Sequence, residues 1–189
     1  MNWQYPLISL TTRIKMQILL VRHAIAEDRE TFALSGREDD DRPLTERGRK
    51  RMIKAARGIR RLCPSLDLLV SSPLTRAVET AAILADVYAL RDMHPSRLAF
   101  DGLSPGRGLD PVVEWVGGKA SGSAVALVGH EPEMSLLLGR LSSGREQSWF
   151  RFKKGGACLL ESAQEGRGRF QLQWALTPAQ LRILGAGIE

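Results

Sequence analysis

The chain has 189 residues, a formal net charge of +6 and 43% hydrophobic residues, which fits one globular domain able to bury a core without metal or disulfide staples. No stretch approaches the roughly 20 apolar residues of a membrane span. The basic excess suits an anionic partner, whether phosphate, acidic protein or nucleic acid, and selects none of them.

Residues 1–15 read as an N-terminal extension and residues 16–189 as a single domain. Pro6-Leu7-Ile8-Ser9-Leu10 is apolar, but no positive residue precedes it and Arg13 and Lys15 cut it short, so it does not read as a signal peptide. Met16 is an alternative start, and the cytoplasm is the expected location. Cys63 and Cys158 are too few and too distant to form a disulfide framework or a zinc site; they read as small core hydrophobes in a reducing compartment.

The ordered pattern opens with Gln17-Ile18-Leu19-Leu20-Val21, a short β-branched run that predicts a buried strand ending in Arg22-His23. Glu27 to Arg42 reads as a surface loop, with Glu38-Asp39-Asp40-Asp41 as a solvated acidic face. Thr45 caps a predicted helix whose apolar residues Met52, Ala55, Ala56, Ile59 and Leu62 recur at helical spacing, until Pro64-Ser65 ends it. Its other face is strongly basic from Arg47 to Arg61.

Asp67-Leu68-Leu69-Val70-Ser71 reads as the second strand, and Pro73 as the opening of the helix that carries Arg76. Arg91 to Gly108 reads as loop around one short strand, with His94 on the surface, and Val112 to Val116 as a helix. Ala124-Val125-Ala126-Leu127-Val128 is a further buried strand running into Gly129-His130, and Pro132 opens a helix behind it. The segments around Cys158 and Leu172 read as an antiparallel strand pair. This alternation predicts an α/β fold, a three-layer α/β/α sandwich whose sheet is mostly parallel with an antiparallel C-terminal portion.

Three of these strands end in chemistry. One delivers Arg22-His23, one Ser71-Ser72-Pro73 with Arg76 a turn later, and one Gly129-His130. In an open α/β sheet ligands sit outside the carboxyl ends of the strands, so these groups converge on one crevice. Guanidinium forks match phosphate oxygens bidentately, and helix N-termini add backbone donors for an anion. Arg22, His23, Arg76 and His130, with no neighbouring carboxylate motif, therefore read as a phosphate site. A zinc site would need further ligands at suitable spacing, so neither a metal nor a cofactor is expected.

Leu20-Val21-Arg22-His23-Ala24, Pro43-Leu44-Thr45-Glu46-Arg47-Gly48, Ser71-Ser72-Pro73-Leu74-Thr75-Arg76-Ala77-Val78-Glu79-Thr80 and Val128-Gly129-His130-Glu131-Pro132, in that order, resemble the histidine phosphatase (phosphoglycerate mutase-like) superfamily. The resemblance implies that His23 is a nucleophile forming a phosphohistidine intermediate, and that Arg22, Arg76 and His130 bind the phosphoryl oxygens. Neutral imidazole is a competent nucleophile near pH 7, and adjacent arginines keep it unprotonated while stabilising transition-state charge. His130 donates a hydrogen bond and, if protonated, supplies a third positive charge.

Arg22-His23-Ala24-Ile25-Ala26 resembles the small bacterial phosphohistidine phosphatase branch typified by SixA. The chain has little room for the insertions that roof the site in mutase and bisphosphatase branches. Ester hydrolysis needs a general acid; the candidates are Asp101 and Glu27, each of which also reads as an ordinary loop carboxylate. A phosphohistidine needs such an acid less, because its leaving imidazole has a conjugate-acid pKa of about 6.5. The expected substrate is a phosphohistidine protein. The alternatives are a small phosphoester, through phosphomonoesterase or mutase-like chemistry, or a non-catalytic role in which the basic helix binds nucleic acid or a regulator.

Overall fold

The computed structural model describes residues 15–119, 123–163 and 169–187; all but the last residue of the N-terminal extension lies outside them. In chain order the strands are β1 (Gln17–Arg22), β2 (Leu68–Ser71), β3 (Ser96–Ala99), β4 (Ala124–Gly129), β5 (Ala157–Ser162) and β6 (Phe170–Leu176). The helices are α1 (Arg29–Ala33), α2 (Glu46–Leu62), α3 (Thr75–Ala89), α4 (Asp110–Gly117), α5 (Glu133–Ser143) and α6 (Pro178–Leu184). The sheet order is β3-β2-β4-β1-β5-β6. The first four strands run parallel, and β5 and β6 join antiparallel, as the sequence predicts.

Alternation along β1 explains why its apolar run is continuous. Leu19 and Val21 face one side and pack with α2, α3 and α6, whereas Ile18 and Leu20 face the other and pack with α4 and α5. Both faces are covered, so neither parity of side chain sees water. The helices are held by local chemistry: Thr45 Oγ1 accepts from Gly48 N–H at 2.9 Å to start α2, and Gly144, at φ 78°, ends α5.

Three local expectations change. The segment from Glu27 to Arg42 is not simply loop: Asp28 caps α1, and Asp39–Asp41 form a 3₁₀ turn. Pro73 stands before the α3 cap, Leu74, rather than in the first helical turn. The sequence reading stops short of α6, although Thr177 and Gln180 form a reciprocal capping box around Pro178. At seven residues, α6 is too brief to show a clear apolar period.

Close backbone contact seats α6 on α2. A Cβ added at Gly58 would lie 2.0 Å from the Leu181 carbonyl oxygen, and one at Gly185 would lie 2.1 Å from that of Lys54. Gly48 does the same at the other end of α2, against the Ile25 carbonyl beside His23. Gly58→Ala must force the helices apart, with an expected loss of roughly 1–3 kcal/mol. Gly117→Ala, whose added Cβ meets nothing within 4 Å, should stay within about 0.5 kcal/mol. Urea unfolding of the two variants checks this; equal midpoints would remove close packing as the reason for Gly58.

Candidate active site

The parallel strand ends bring Arg22, His23, Arg76 and His130 to the lining of one cavity of about 470 Å³, with Ser72 behind His130. The His23 and His130 ring centroids are 5.0 Å apart. His23 N–H donates to the Gly129 carbonyl and Ser72 N–H to that of Val128, so neighbouring strand ends are fixed to one another directly beneath the side chains.

His23 has a defined tautomer. Its Nδ1 lies 2.8 Å from the Ala24 carbonyl oxygen, which can only accept, so Nδ1 carries the proton and Nε2 keeps its lone pair. Burial, then His130, Arg76 and Arg22, lower its pKa from 6.5 to about 3, against the opposing pull of the Ala24 carbonyl. His130 is likewise lowered to about 3, by burial first and then by Arg76 and Arg22. Both imidazoles are therefore neutral near pH 7, so His130 does not supply the positive charge it would carry if protonated. Its Nε2 instead lies 2.9 Å from Ser72 Oγ.

The arginines are held by their tips. Arg22 Nη1 donates to the Phe152 carbonyl at 2.7 Å, and Phe152 N–H donates to Glu131 Oε1 at 2.8 Å. Arg76, 2% exposed, donates from Nη1 to the Asp39 carbonyl at 2.8 Å and pairs through Nη2 with Asp39 Oδ2 at 3.2 Å. The Nε atoms of both arginines are buried and have no hydrogen-bond partner among the described residues. An unmet buried donor costs about 1–3 kcal/mol, so each of these groups would gain from a partner. Thr80 links the parts: its hydroxyl accepts from Ala24 N–H and donates to the Arg76 carbonyl.

Glu38, Asp40 and Asp41 keep the solvated face expected of the acidic run, but Asp39 departs from it and brings to the arginines a carboxylate that no local motif announces. Its carboxylate meets Arg29, Arg42 and Arg76 at 3.2, 2.8 and 3.2 Å. Burial alone would raise its pKa, but the Arg42 hydrogen bond and the surrounding guanidinium charges hold it below the usual carboxylate value. Arg42 is 6% exposed and lines the cavity with Arg29 and Lys154. The sequence does not single out these cations. The visible signal is that Arg42 directly precedes the Pro43-Leu44-Thr45 motif, while Asp39 looks like its two acidic neighbours until folding brings Arg76 to it.

The two candidate acids separate. Glu27 lines the cavity, beside Asp28. Asp101 lies outside the lining: its exposed carboxylate accepts from Ser104 Oγ at 2.9 Å and pairs with Arg107 at 2.8 Å. Exposed His94 also lies away from the site, and Cys63 and Cys158 are buried free thiols.

A model of the histidine phosphatase superfamily, branch 1, matches residues 18–97, which hold the first three motifs. An uncharacterized protein of Picosynechococcus sp. is 32% identical over 158 residues, covering 82% of this chain and 89% of that protein. The chain belongs to the histidine phosphatase superfamily. Its fold is similar to that of the protein histidine phosphatase SixA solved with tungstate, at TM-score 0.71 and 21% identity over 88% of this chain and 99% of that one. SixA from Nakamurella multipartitia matches at TM-score 0.68 and 25% identity, over 87% and 96% of the two chains. A phosphoglycerate mutase from Plasmodium falciparum matches at 0.62 and 18%, over 85% and 89%. The chain is thus a histidine-type phosphatase, a hydrolase, with a SixA-like architecture. No helix among the described residues is long and apolar enough to cross a membrane.

The neutral histidines set a pH dependence. Between pH 6.5 and about 3 the unfolded chain binds protons on His23 and His130 that the folded chain refuses. Stability is therefore fully present above that window and falls with falling pH, by up to roughly 1.4 kcal/mol per pH unit for each histidine. His130→Gln should lose less stability than wild type between pH 7 and pH 5 in urea titrations. Parallel losses would show that His130 is not held neutral.

Proposed function

We propose that the enzyme removes phosphoryl groups from phosphohistidine proteins through a covalent intermediate on His23. One observation carries this reading: Nδ1 of His23 is committed to the Ala24 carbonyl, which leaves Nε2, unprotonated near pH 7, as the nucleophile in a cavity lined by buried arginines. Nε2 attacks the phosphorus of a substrate phosphohistidine that is protonated on its other ring nitrogen, the bond to that ring breaks, and the ring leaves as neutral imidazole. Water then attacks the phosphorus of phospho-His23, the P–N bond breaks, and inorganic phosphate leaves.

Arg22 and Arg76 supply charge-assisted donors to the phosphoryl oxygens, the unpartnered Nε–H groups among them. They act without reorganising, because Phe152 and Asp39 already fix their tips. His130 supplies a neutral contact beside them. Asp39 is a positioning residue, holding Arg76 through two contacts.

The substrate assignment rests on the short segments around the cavity and on the leaving group, with Glu27 as the one candidate acid on the lining. Asp101 is turned to Arg107, and Glu27 is an exposed side chain on the cavity lining. An alkoxide leaving group depends on such an acid, whereas an imidazole leaving group does so far less. Short segments line the cavity, through Ala26 to Arg29, Arg42, Pro105 and Lys154, which suits a phosphoryl group carried on a protein surface.

His23→Ala should lower phosphohistidine hydrolysis by about a thousandfold or more. Brief incubation of wild type with substrate should trap an acid-labile, base-stable phosphoenzyme that the variant lacks. Asp101→Asn should remain within about twofold of wild type, and Glu27→Gln should slow a phosphomonoester more than a phosphohistidine protein. Equal phosphate release by wild type and His23→Ala would refute the nucleophile, while a preference for the monoester would refute the substrate.

A further inference from the structure

A second cavity, of about 580 Å³, adjoins the phosphoryl site and shares Arg22 and Lys154 with it. It lies between α2, the turn at residues 153–155 and the start of α6. Its lining is apolar where Ile25, Met52, Ala55 and Pro178 meet, and basic where Arg51, Lys153 and Arg182 stand. Arg51 and Arg182 also line a third groove, together with Arg47, Lys50, Lys54 and one carboxylate, Glu46. Shared residues thus make one continuous track from the phosphoryl site along the basic face of α2.

The charge on this track is compensated only in part, by Glu46. Among the described residues only Lys50 of these cations is paired, with its helix neighbour Glu46 at 3.2 Å. Arg47, Arg51, Lys54, Lys153, Lys154 and Arg182 form no ion pair with a described residue. Arg47 and Arg182 both press on Arg51, whose guanidinium pKa they hold below the usual value. By contrast, Arg49 on the same helix is paired with Glu79. Like charges collected around an apolar hollow repel one another until a partner of opposite sign arrives.

We propose that this track docks an acidic segment of the substrate protein, seating one of its apolar side chains in the larger cavity and its Asp and Glu residues on Arg51, Arg182 and Lys153. The proposal rests on the phosphoprotein reading of the active site. A polypeptide fits better than a nucleic-acid strand because, among the described residues, no aromatic ring lines either the cavity or the groove for a base to stack on. The apolar floor matches a leucine-like side chain, and the shared Arg22 and Lys154 put the docked segment next to the phosphoryl group.

Two fluorescent peptides without phosphate, one of Asp, Glu and Leu and one of Lys, Ser and Leu, test the docking apart from the chemistry. Anisotropy should show that the acidic peptide binds wild type, more weakly at high salt, and roughly tenfold more weakly when Arg51→Glu and Arg182→Glu are combined. Ala179→Trp, filling the cavity from its exposed rim, should weaken binding without changing charge. In kinetics, a phosphohistidine peptide with acidic flanks should be preferred over one with basic flanks, through KM, while the double variant hydrolyses free phosphohistidine within about twofold of wild type. Equal binding of the two peptides, or a DNA oligonucleotide displacing the acidic peptide more readily than unlabelled peptide does, would overturn the proposal. Binding through Arg51 and Arg182 without cleavage would sustain the docking track and defeat the phosphohistidine reading; cleavage without flank preference would do the reverse.

Discussion

Two guanidinium groups sit under the ends of a parallel sheet with less counter-charge than they need, and the site takes its character from that imbalance. Arg76 is almost wholly buried and shares a single carboxylate, Asp39, with Arg29 and Arg42. Arg22 has no ion pair among the described residues and spends one tip on the Phe152 carbonyl. Burial disfavours the charged form of both. On the proposed function, a phosphoryl group would relieve this state by bringing negative charge and acceptors for the Nε donors. The same positive field, added to burial, keeps His23 and His130 unprotonated. In the proposed mechanism that one electrostatic condition both attracts the substrate and readies the nucleophile.

The fold makes that condition affordable. Parallel strands end together, so β1, β2 and β4 carry their polar groups to one edge while their apolar runs stay sealed between helices. Hydrogen bonds beneath the site, from His23 to Gly129 and from Ser72 to Val128, prevent the strand ends from moving independently. Thr80 ties the loop after His23 to α3, and Glu131 holds the segment that receives Arg22. Each reacting group is thus placed by a partner on a different element. This is how a site can be preorganised without an inserted domain above it.

What could be read from the sequence was whatever short range decides. The buried strands, the capped helix from Thr45 and the polar groups at the strand ends all follow from local pattern, and four ordered motifs identify the superfamily. Asp39 could not be read this way. Its meaning depends on Arg76, thirty-seven positions later, and nothing local separates it from Asp40 and Asp41. The role of Arg42 was hidden for the same reason. Asp101 shows the opposite: its sequence setting allows an acid, and folding places its carboxylate against Arg107 and Ser104, off the cavity lining. The helix α6 was missed despite a legible capping box, because its place is set by glycine contacts with α2 rather than by its own short pattern.

The central claim is that Nε2 of His23 bonds to phosphorus while Arg22 and Arg76 carry the charge around it. Orthovanadate adopts the five-coordinate geometry of a phosphoryl group in transfer, so a crystal structure of the vanadate complex tests the claim most directly. Vanadium bonded axially to Nε2 of His23, with equatorial oxygens within hydrogen-bonding distance of the Nε atoms of Arg22 and Arg76, is the predicted result. Vanadate bound through Nδ1, or bound in the cavity with His23 unbonded and the Nε donors still empty, would contradict it.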